Sequence, residues 1–326
     1  MCDINLFNDV YYSDEYLELY ANENEDVFSF EYVENEKVFV NKSIKKKIDK
    51  IGNIVVDDGF YDLETAYGYG GFLTNTNDAP FIKKAMMEYE NKCLSENVIS
   101  EFIRFHPFNK FHVDHGQYLD FKVHDRDVVV IDLSHDAMSS YKKKVRSQVR
   151  KSLQNIEIIE SDNLEKFIEL YEATMRKNNA EEFYFFTNQY YQNLIQLKQA
   201  ALFEVRYEGN VIAMAFFLFG EEIAHYHLSA NTDESYKLNS NYALIHALFE
   251  ASRKMKKKYF MLGGGSTPKS DDPLLKFKKK FSQKMVPFYI GGKIYNNSVY
   301  EKYCELWGSQ SELKVKYFLK YRLEVK

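Results

Sequence analysis

One stretch, residues 223–281, constrains the fold more than any other part of the chain. It begins with an aromatic strand at 223–230 and continues with a polar turn at 239–242 that opens a helix. A second strand then runs into the glycines at 263–265, and a basic helix follows at 274–281. Two strands separated by a capped helix are typical of an α/β unit. The order predicts an α/β unit in which the last helix follows the glycine-rich end of the second strand.

The length and composition of the chain suit two globular domains. Its 326 residues are 45% hydrophobic and 16% aromatic, which is enough for one large core or two ordinary ones. No apolar run approaches the ~20 residues that a membrane span requires. The first residues lack the basic and apolar regions of a signal peptide. We therefore expect a cytoplasmic protein without a membrane span.

Neither the cysteines nor the histidines form a ligand pattern. The three cysteines are Cys2, Cys93 and Cys304. They are far apart and odd in number, whereas a disulfide framework or a zinc site requires paired spacing, so we expect plain thiols. The histidines and the aspartate at 106–115 match no established metal-ligand spacing. The sequence therefore predicts no metal.

The charges are segregated along the chain, although the net charge is only -5. Eleven carboxylates and no basic residue precede Lys37. The basic residues cluster instead at 45–47, 142–151, 254–258 and 276–280. Such clusters could form a positive face for a phosphate-bearing ligand, or each could be the solvated face of a helix. The position of the last cluster, just after the glycine-rich strand end, favours the first alternative there.

The pattern of helices and strands divides the chain in two. The first part alternates strands with a helix and includes a hairpin predicted at 118–133. Residues 139–154 are then predicted to form a helix with one narrow apolar stripe. The stripe consists of Tyr141, Val145, Val149 and Leu153. Because a helix with so little apolar surface suits a junction, we expect domains at 1–138 and 156–326 with a linking helix at 139–155.

The second domain has the clearer pattern. A strand at 156–160 and two helices precede three apolar strands at 201–207, 211–219 and 223–229. Because only short turns join these three strands, they predict an antiparallel meander. A helix, a strand and the basic helix complete the domain.

Several motifs occur in an order that resembles one protein family. They are Tyr67-Gly68-Tyr69-Gly70-Gly71, Arg104-Phe105-His106-Pro107, the basic helix 141–153, the segment 170–175, His225-Tyr226-His227-Leu228-Ser229, the glycines 263–265 and Phe277-Lys278-Lys279-Lys280-Phe281. The set resembles the FemABX family, whose members and relatives belong to the GNAT acyltransferase superfamily. The resemblance extends from about residue 61 to about residue 290.

The resemblance implies both a fold and a reaction. The implied fold is α/β (α+β), with two GNAT-like domains in tandem and mixed, mostly antiparallel sheets flanked by helices. The first domain is usually degenerate and binds the substrate, while the second holds the acyl donor and the catalytic site. The implied reaction transfers an acyl or aminoacyl group to an amine. Members with aminoacyl chemistry take amino acids from tRNA and add them to peptidoglycan precursors, and close relatives are described as acetyltransferases.

The basic helix carries the first catalytic candidate, Lys278. Acyl transfer to an amine requires a deprotonated amine, a stabilised tetrahedral oxyanion and a proton for the leaving group. Lys278 resembles the family lysine of the Phe-Lys motif, and its cation could neutralise the oxyanion. Phe277 and Phe281 lie four residues apart and should be buried, which leaves Lys278 on another face. Phe277 is also a substrate-binding candidate, and the alternative is an amphipathic surface helix.

His227 is the second catalytic candidate. His225 and His227 lie on one face of the predicted strand, and an imidazole can accept a proton near neutral pH. Asp233 and Glu234, just beyond the strand, are comparable candidates. A packed histidine with satisfied hydrogen bonds is the alternative, because ordered water and backbone carbonyls serve as the base in many GNAT folds.

The donor site departs from the family pattern. GNAT folds that bind acetyl-CoA carry a Gln/Arg-x-x-Gly-x-Gly/Ala turn whose amides hold pyrophosphate at a helix start. This chain has Asn239, Ser240, Asn241 and Tyr242 there, without glycine. We expect them to bind the cofactor or, alternatively, only to cap the helix. Acetyl-CoA or another acyl-CoA is the first expected donor and aminoacyl-tRNA the alternative, although a sequence pI near 6.0 is low for RNA binding.

The first domain supplies the remaining substrate-binding candidates, namely Tyr67, Tyr69, Gly70, Gly71 and Arg104. Its glycine-rich turn would expose backbone amides beside aromatic rings that could stack on a sugar or a base. The arginine could pair with a phosphate or a carboxylate. A tight packed turn and a structural ion pair are the alternatives.

Together these patterns predict an N-acyltransferase. The acyl donor would be an acyl-CoA, and the acceptor would be an amine of a cell-envelope precursor or an amino sugar. The first alternative is a FemABX-type aminoacyltransferase with a tRNA partner. The second is a non-catalytic binding module with the same fold.

Overall fold

The computed structural model describes residues 4–180, 184–311 and 315–325. Cys2 lies outside these residues, so its assignment as a plain thiol stays a prediction. The two described cysteines, Cys93 and Cys304, are buried and free. In the described ranges, no helix has the length and apolar character that crossing a membrane requires.

The secondary structure alternates between helices and strands along the described chain. Its α-helices are α1 (Asp14–Leu17), α2 (Ala79–Ser95), α3 (Phe111–Asp114), α4 (Ala137–Ser140), α5 (Lys143–Leu153), α6 (Leu164–Lys177), α7 (Asn188–Gln196), α8 (Asp233–Leu238), α9 (Ser240–Lys254), α10 (Pro273–Lys278) and α11 (Asn297–Gly308). Its strands are β1 (Glu25–Glu34), β2 (Lys37–Lys47), β3 (Lys50–Ile51), β4 (Ile54–Val55), β5 (Tyr61–Glu64), β6 (Leu73–Thr74), β7 (Val98–Arg104), β8 (Phe121–Asp132), β9 (Glu157–Glu160), β10 (Ala200–Tyr207), β11 (Asn210–Phe219), β12 (Ile223–Asn231), β13 (Tyr259–Gly263) and β14 (Met285–Ile294).

The chain divides into two compact units. Unit 1 comprises Met1–Leu19 and Arg126–Pro287, and unit 2 comprises Tyr20–Asp125 and Phe288–Lys326. This division differs from the predicted one, because each unit contains two separate chain segments. Strands β8 and β14 begin in one unit and end in the other. The predicted linking helix at 139–155 lies within unit 1.

Unit 1 is built on a sheet with the strand order β8-β13-β12-β11-β10-β9. The strands from β9 to β12 pair antiparallel, as the predicted meander requires. β13 then pairs parallel to β12 and antiparallel to β8. The sheet is therefore mixed and mostly antiparallel, which confirms the predicted fold class.

The core of unit 1 joins this sheet to α9 and α5. β11 is a nearly continuous apolar run, and seven of its ten residues are buried. On α9 the buried side chains include Leu244, Ile245 and Leu248. Helix α5 adds Val145 and Val149 to the same cluster. This packing fixes both helices against the sheet.

Unit 2 contains both antiparallel and parallel strand pairs and has its own core. β1 and β2 form a long antiparallel hairpin, closed by Asn35 and Glu36 with φ of 49° and 63°. β2 pairs antiparallel with β5, β5 parallel with β7, and β7 antiparallel with β14. Helix α2 covers the sheet and buries Phe81, Ile82 and Tyr89. Unit 2 therefore contains one parallel pair among these strands, β5 with β7, as unit 1 contains β12 with β13.

A buried carboxylate organises the centre of unit 2. Glu101 on β7 is fully buried and accepts hydrogen bonds from Asn41 Nδ2 at 2.7 Å and Ser43 Oγ at 2.8 Å. Two hydroxyls complete the set, Tyr89 at 2.9 Å and Tyr295 at 2.7 Å. Burial raises the pKa of Glu101 although these hydrogen bonds oppose the shift.

Two local predictions are wrong. The hairpin expected at 118–133 is one continuous strand, because residues 125–127 keep extended backbone and Arg126 binds a loop carbonyl instead of forming a turn. The helix expected at 139–154 breaks into α4 and α5. Its break lies at Tyr141 and Lys142, which are extended with ψ of 143° and 151°. Tyr141 is buried at 2% exposure against the rings of Phe249 and Phe281, so packing overrides the helical pattern.

Candidate functional site

Strands β12 and β13 part after a short parallel ladder. Within the described residues the ladder ends at the pair His225 and Met261. β12 nevertheless continues to Asn231 and β13 to Gly263. Beyond His225 the two strands no longer pair with each other, and we call the region between their ends the wedge.

A β-bulge lies at the start of this wedge. Phe216 on β11 faces Leu228, and the next residue, Phe217, faces Tyr226. His227 is thus the extra residue on β12. Bulges bend a strand and redirect a side chain, and they occur often beside active sites. The bulge gives His227 a position that a regular strand would not.

Both histidines of β12 are buried and hydrogen-bonded. The two ring nitrogens of His227 lie 3.3 Å from the hydroxyl of Tyr11 and 3.0 Å from that of Tyr190. His225 Nε2 lies 2.8 Å from the carboxylate of Asp9. Burial, with a smaller contribution from His225, lowers the pKa of His227 to about 3. His227 is consequently neutral and engaged at both nitrogens near neutral pH.

The glycine loop after β13 is held on two sides. Arg126 Nη1 donates to Gly265 O at 2.8 Å, and a Cβ at Gly264 would lie 2.8 Å from Arg126 Cδ. A Cβ at Gly265 would collide with the carboxylate of Asp272. That carboxylate also accepts from Leu275 N at 2.9 Å and so caps α10. The glycines therefore allow the loop to pack directly against both charged side chains.

Lys278 lies at the end of α10 with its amine buried against this loop. Nζ donates to Gly264 O at 2.8 Å, and the side chain is 8% exposed. Burial lowers the pKa of Lys278 to about 7, with Arg126 acting in the same direction and Asp272 opposing it. The amine therefore changes charge in the range of neutral pH, which an exposed lysine does not do.

Phe277 and Tyr242 lie in contact, and Lys280 interacts with both of them. Their rings meet edge to face at a centroid distance of 5.2 Å. Lys280 Nζ donates to the Tyr242 hydroxyl at 2.9 Å and lies 5.6 Å from the Phe277 ring centroid. Both aromatic residues belong to the packing of unit 1, so their surfaces for a ligand are limited.

The four residues proposed for the cofactor open α9. Asn239 is left-handed, with φ of 55°, and its side chain makes no capping hydrogen bond. Ser240 is fully buried, and its hydroxyl is bonded to that of Ser235. Asn241 is half-buried, with a buried Oδ1 that has no partner among the described residues. The Ser240 hydroxyl is buried and already bonded, so it cannot reach a ligand in this structure. Binding by this turn would therefore depend on its backbone.

The substrate-binding candidates of unit 2 form one compact corner. Gly70 N donates to Arg104 O at 2.8 Å, and Arg104 Nε donates to Gly68 O at 3.1 Å. Gly71 has φ of 92° and packs so closely on Phe105 that a Cβ there would clash. The ring of Tyr69 lies 5.4 Å from that of Phe288. Tyr67 and Tyr69 are both half-buried. The predicted turn exists, and its glycines are required by close packing.

The segment that carries the wedge, the α9 turn and Lys278 matches a known family. Residues 139–278 match the model of the acetyltransferase (GNAT) domain. This segment is similar to a GNAT domain. The match begins where the linking helix was expected and ends at Lys278, so the domain includes β9 to β13 and the helix that bears the lysine.

The whole chain is similar in fold to several solved structures. The crystal structure of FemX gives a TM-score of 0.72 at 14% identity, covering 92% of this chain and 95% of that one. A lysylphosphatidylglycerol synthetase candidate from Agrobacterium fabrum, represented by its C-terminal domain, gives 0.52 at 11%, covering 86% and 87%. A conserved protein of unknown function from Bacteroides thetaiotaomicron VPI-5482 gives 0.54 at 11%, covering 88% and 91%. No curated protein matches the sequence.

These similarities confirm the resemblance to FemABX-like proteins of the GNAT superfamily at the level of domain and fold. At such low identities the solved structures concern the fold alone. The match to the GNAT domain supports an acyltransferase. It does not identify the acyl donor or the acceptor.

Unit 1 contains functional candidates that sequence reasoning did not single out. Arg126 and Asp272 hold the glycine loop beneath Lys278, and Tyr11 and Tyr190 hold His227. Arg126 lies in the middle of the hairpin that was predicted at 118–133, and the two tyrosines are distant in sequence from the histidine. Only Asp272 carried a local signal, since an aspartate before proline is a common helix N-cap.

Proposed function

We propose that the protein is an N-acyltransferase that uses its GNAT domain to move an acyl group from acyl-CoA to an amine of a cell-envelope precursor or amino sugar. One observation carries the proposal. Lys278 places a buried amine, with its pKa lowered to about 7, on the helix that follows the splayed strand β13. Perturbed titratable groups beside a cleft are typical of catalytic sites.

Lys278 is proposed to stabilise the oxyanion in its protonated form. Its ammonium group is held toward Gly264 O by a 2.8 Å hydrogen bond, so little rearrangement is needed to meet a negative oxygen. Developing negative charge on the acyl carbonyl would favour this protonated form. The lowered pKa means that free enzyme holds the cation below about pH 7 and the neutral amine above it.

His227 receives a positioning role in this proposal instead of the role of general base. A base with a pKa of about 3 is too weak to deprotonate an ammonium group, and both ring nitrogens already bind tyrosines. Its place at the bulge shapes the wall of the wedge. The proton of the acceptor amine would then leave to water, and the departing thiolate of coenzyme A would take up a proton from water.

The backbone at the start of α9 supports acyl-CoA as the donor. Asn239 adopts the left-handed conformation that glycine usually supplies, with φ of 55°. The helix that follows is fifteen residues long, so its first N–H groups carry the positive end of a full macrodipole. These amides are proposed to bind a donor phosphate without help from the Ser240 hydroxyl.

For unit 2 we propose that Tyr67, Tyr69, Gly70, Gly71 and Arg104 bind the acceptor. The half-buried guanidinium of Arg104 lies 5.7 Å from the Phe288 ring centroid, which orients it. An oriented guanidinium suits a phosphate or a carboxylate. The turn at 67–71 holds Arg104 in place through the hydrogen bonds of Gly68 and Gly70.

Aminoacyl-tRNA is the second candidate for the donor. The observation that favours it is the absence of glycine at 239–242, which departs from the turn of GNAT folds that bind acetyl-CoA. A FemABX-type transfer would use the same wedge and the same lysine. A binding module without catalysis would be the conclusion if neither donor reacts.

The test follows release of free thiol from acetyl-CoA in the presence of amino sugars and of peptides with a free amine. We expect turnover that requires the amine, and a fall of roughly 10²-fold in Lys278→Ala without a change in substrate affinity. Lys276→Ala, on the exposed side of the same helix, is the matched control. Turnover that is equal in Lys278→Ala and wild type would remove the lysine from the mechanism.

A further inference from the structure

Helix α5 presents a basic face that the proposed chemistry does not use. Between residues 142 and 151 the chain carries six cations and no carboxylate. They are Lys142, Lys143, Lys144, Arg146, Arg150 and Lys151. All except Arg146, which is half-buried, are exposed. This concentration of positive charge occurs in a chain whose net charge is -5.

These cations are not compensated within the protein. Among the described residues none of the six takes part in an ion pair, whereas lysines elsewhere commonly do, such as Lys46 with Glu64 and Lys258 with Glu222. A shallow surface groove along the helix is lined only by side chains of 143–154. The uncompensated charge is therefore concentrated on one side of a single helix.

The side of α5 opposite these cations attaches the helix to unit 1. Val145 and Val149 are buried in the core of unit 1, and Ser152 Oγ donates to the carbonyls of Leu238 and Asn239, each at 3.0 Å. Arg146 also has a structural part, because its guanidinium donates to Tyr141 O at 2.7 Å. The remaining five cations contribute nothing to this packing. Repulsion among them lowers stability, so the fold does not account for them.

We propose that the α5 face binds the surface of an anionic lipid bilayer. Clusters of four to eight basic residues on an amphipathic helix are suited to anionic headgroups, and each adds to the electrostatic attraction. Because the apolar side of α5 is occupied by the core, binding would be peripheral and reversible. It would bring the acyltransferase to a membrane surface mainly through charge, with a contribution from one apolar side chain.

That apolar side chain favours a bilayer over RNA. Leu153 is 42% exposed and lies three residues after Arg150 and seven after Arg146, on the same helical face. An apolar tip beside the cations can enter the interface between headgroups and acyl chains. Single-stranded RNA would call for exposed aromatic rings, and the one aromatic residue of this segment, Tyr141, is buried.

The experiment measures co-sedimentation of the full-length protein with vesicles. Vesicles of phosphatidylcholine alone are compared with vesicles that also contain phosphatidylglycerol, at low and at high salt. The test variant changes Lys143, Lys144, Arg150 and Lys151 to glutamine. It retains Arg146 and the buried side chains, and an unchanged melting temperature establishes that it is folded. A control variant changes four exposed lysines elsewhere, Lys50, Lys83, Lys110 and Lys198, to glutamine.

The proposal expects binding to the anionic vesicles only, weakened by salt. Since each basic residue strengthens partition about fivefold, the α5 variant should bind roughly 10²- to 10³-fold more weakly, while the control variant binds nearly as well as wild type. Leu153→Gln should weaken binding several-fold. Absence of binding to anionic vesicles would overturn the proposal, and so would equal losses in the two charge variants. Displacement from the vesicles by an RNA hairpin at equal phosphate concentration would assign the face to RNA instead.

Discussion

Replacing Lys278 by methionine should stabilise the protein at neutral pH while it removes activity. Methionine has nearly the same length and no charge. The pKa of Lys278 falls from 10.5 to about 7 on folding, which corresponds to a penalty of about 5 kcal/mol for the buried charged form. Loss of the hydrogen bond to Gly264 O costs about 1–3 kcal/mol. The variant should therefore be about 2–4 kcal/mol more stable near pH 7.

The sign of the pH dependence follows from proton binding. Below about pH 7 both the folded and the unfolded wild type hold the proton on Lys278, so the full penalty applies. Between about pH 7 and 10.5 only the unfolded state holds it, and the stability of wild type rises with pH. Above 10.5 both states are neutral and the penalty is gone. The advantage of the methionine variant should thus shrink by about 3 kcal/mol between about pH 7 and pH 10.

Urea unfolding of wild type and variant across this pH range measures the difference. Lys276→Met is the control, because Lys276 is exposed on the same helix and should change stability by less than about 0.5 kcal/mol. Turnover of Lys278→Met should fall by about 10²- to 10³-fold. A variant that is less stable than wild type by a constant amount at every pH would refute the reasoning, because it would mean that Lys278 carries no buried charge penalty.

The remaining predictions concern the surroundings of Lys278. His227→Gln should lower turnover less than about tenfold and cost about 1–3 kcal/mol of stability, and a turnover profile that follows an imidazole pKa near 6.5 would contradict its assignment as a neutral positioning residue. Gly265→Ala should reduce both stability and turnover, because the added Cβ would collide with the carboxylate of Asp272. Equal melting temperatures for variant and wild type would show instead that the loop moves to accommodate the methyl group. Ser240→Asp should lower the melting temperature sharply, since it buries a charge, whereas normal folding with weaker donor binding would show that the side chain reaches the ligand.

Much of unit 1 could be predicted because its signals are local. The apolar strands joined by short turns fixed the meander, and the glycines after β13 marked the strand end near Lys278. Of the predicted stripe, Val145 and Val149 form the buried side of α5, whereas Leu153 is exposed and Tyr141 precedes the helix. Each of these features depends on neighbours in sequence, so periodicity and turn residues were sufficient.

The partners that set the chemistry could not be predicted from local patterns. Tyr11 and Tyr190 reach His227 from elements more than thirty residues away, and they remove the free nitrogen that a general base needs. The low pKa of Lys278 depends on burial against a loop, whereas its sequence context, three consecutive lysines, is typical of a solvated surface. The continuous strand β8 was also missed, because Asp125 and Asp127 have high turn propensity but occupy extended positions.

The most direct test of the proposed function is calorimetric titration of the purified protein with acetyl-CoA and with free coenzyme A, alongside deacylated tRNA. The account predicts micromolar binding of coenzyme A, with tRNA weaker at physiological salt. If neither acetyl-CoA nor coenzyme A binds, while tRNA binds in a salt-sensitive way, the proposal of an acyl-CoA donor is contradicted. Aminoacyl transfer would then be the leading function.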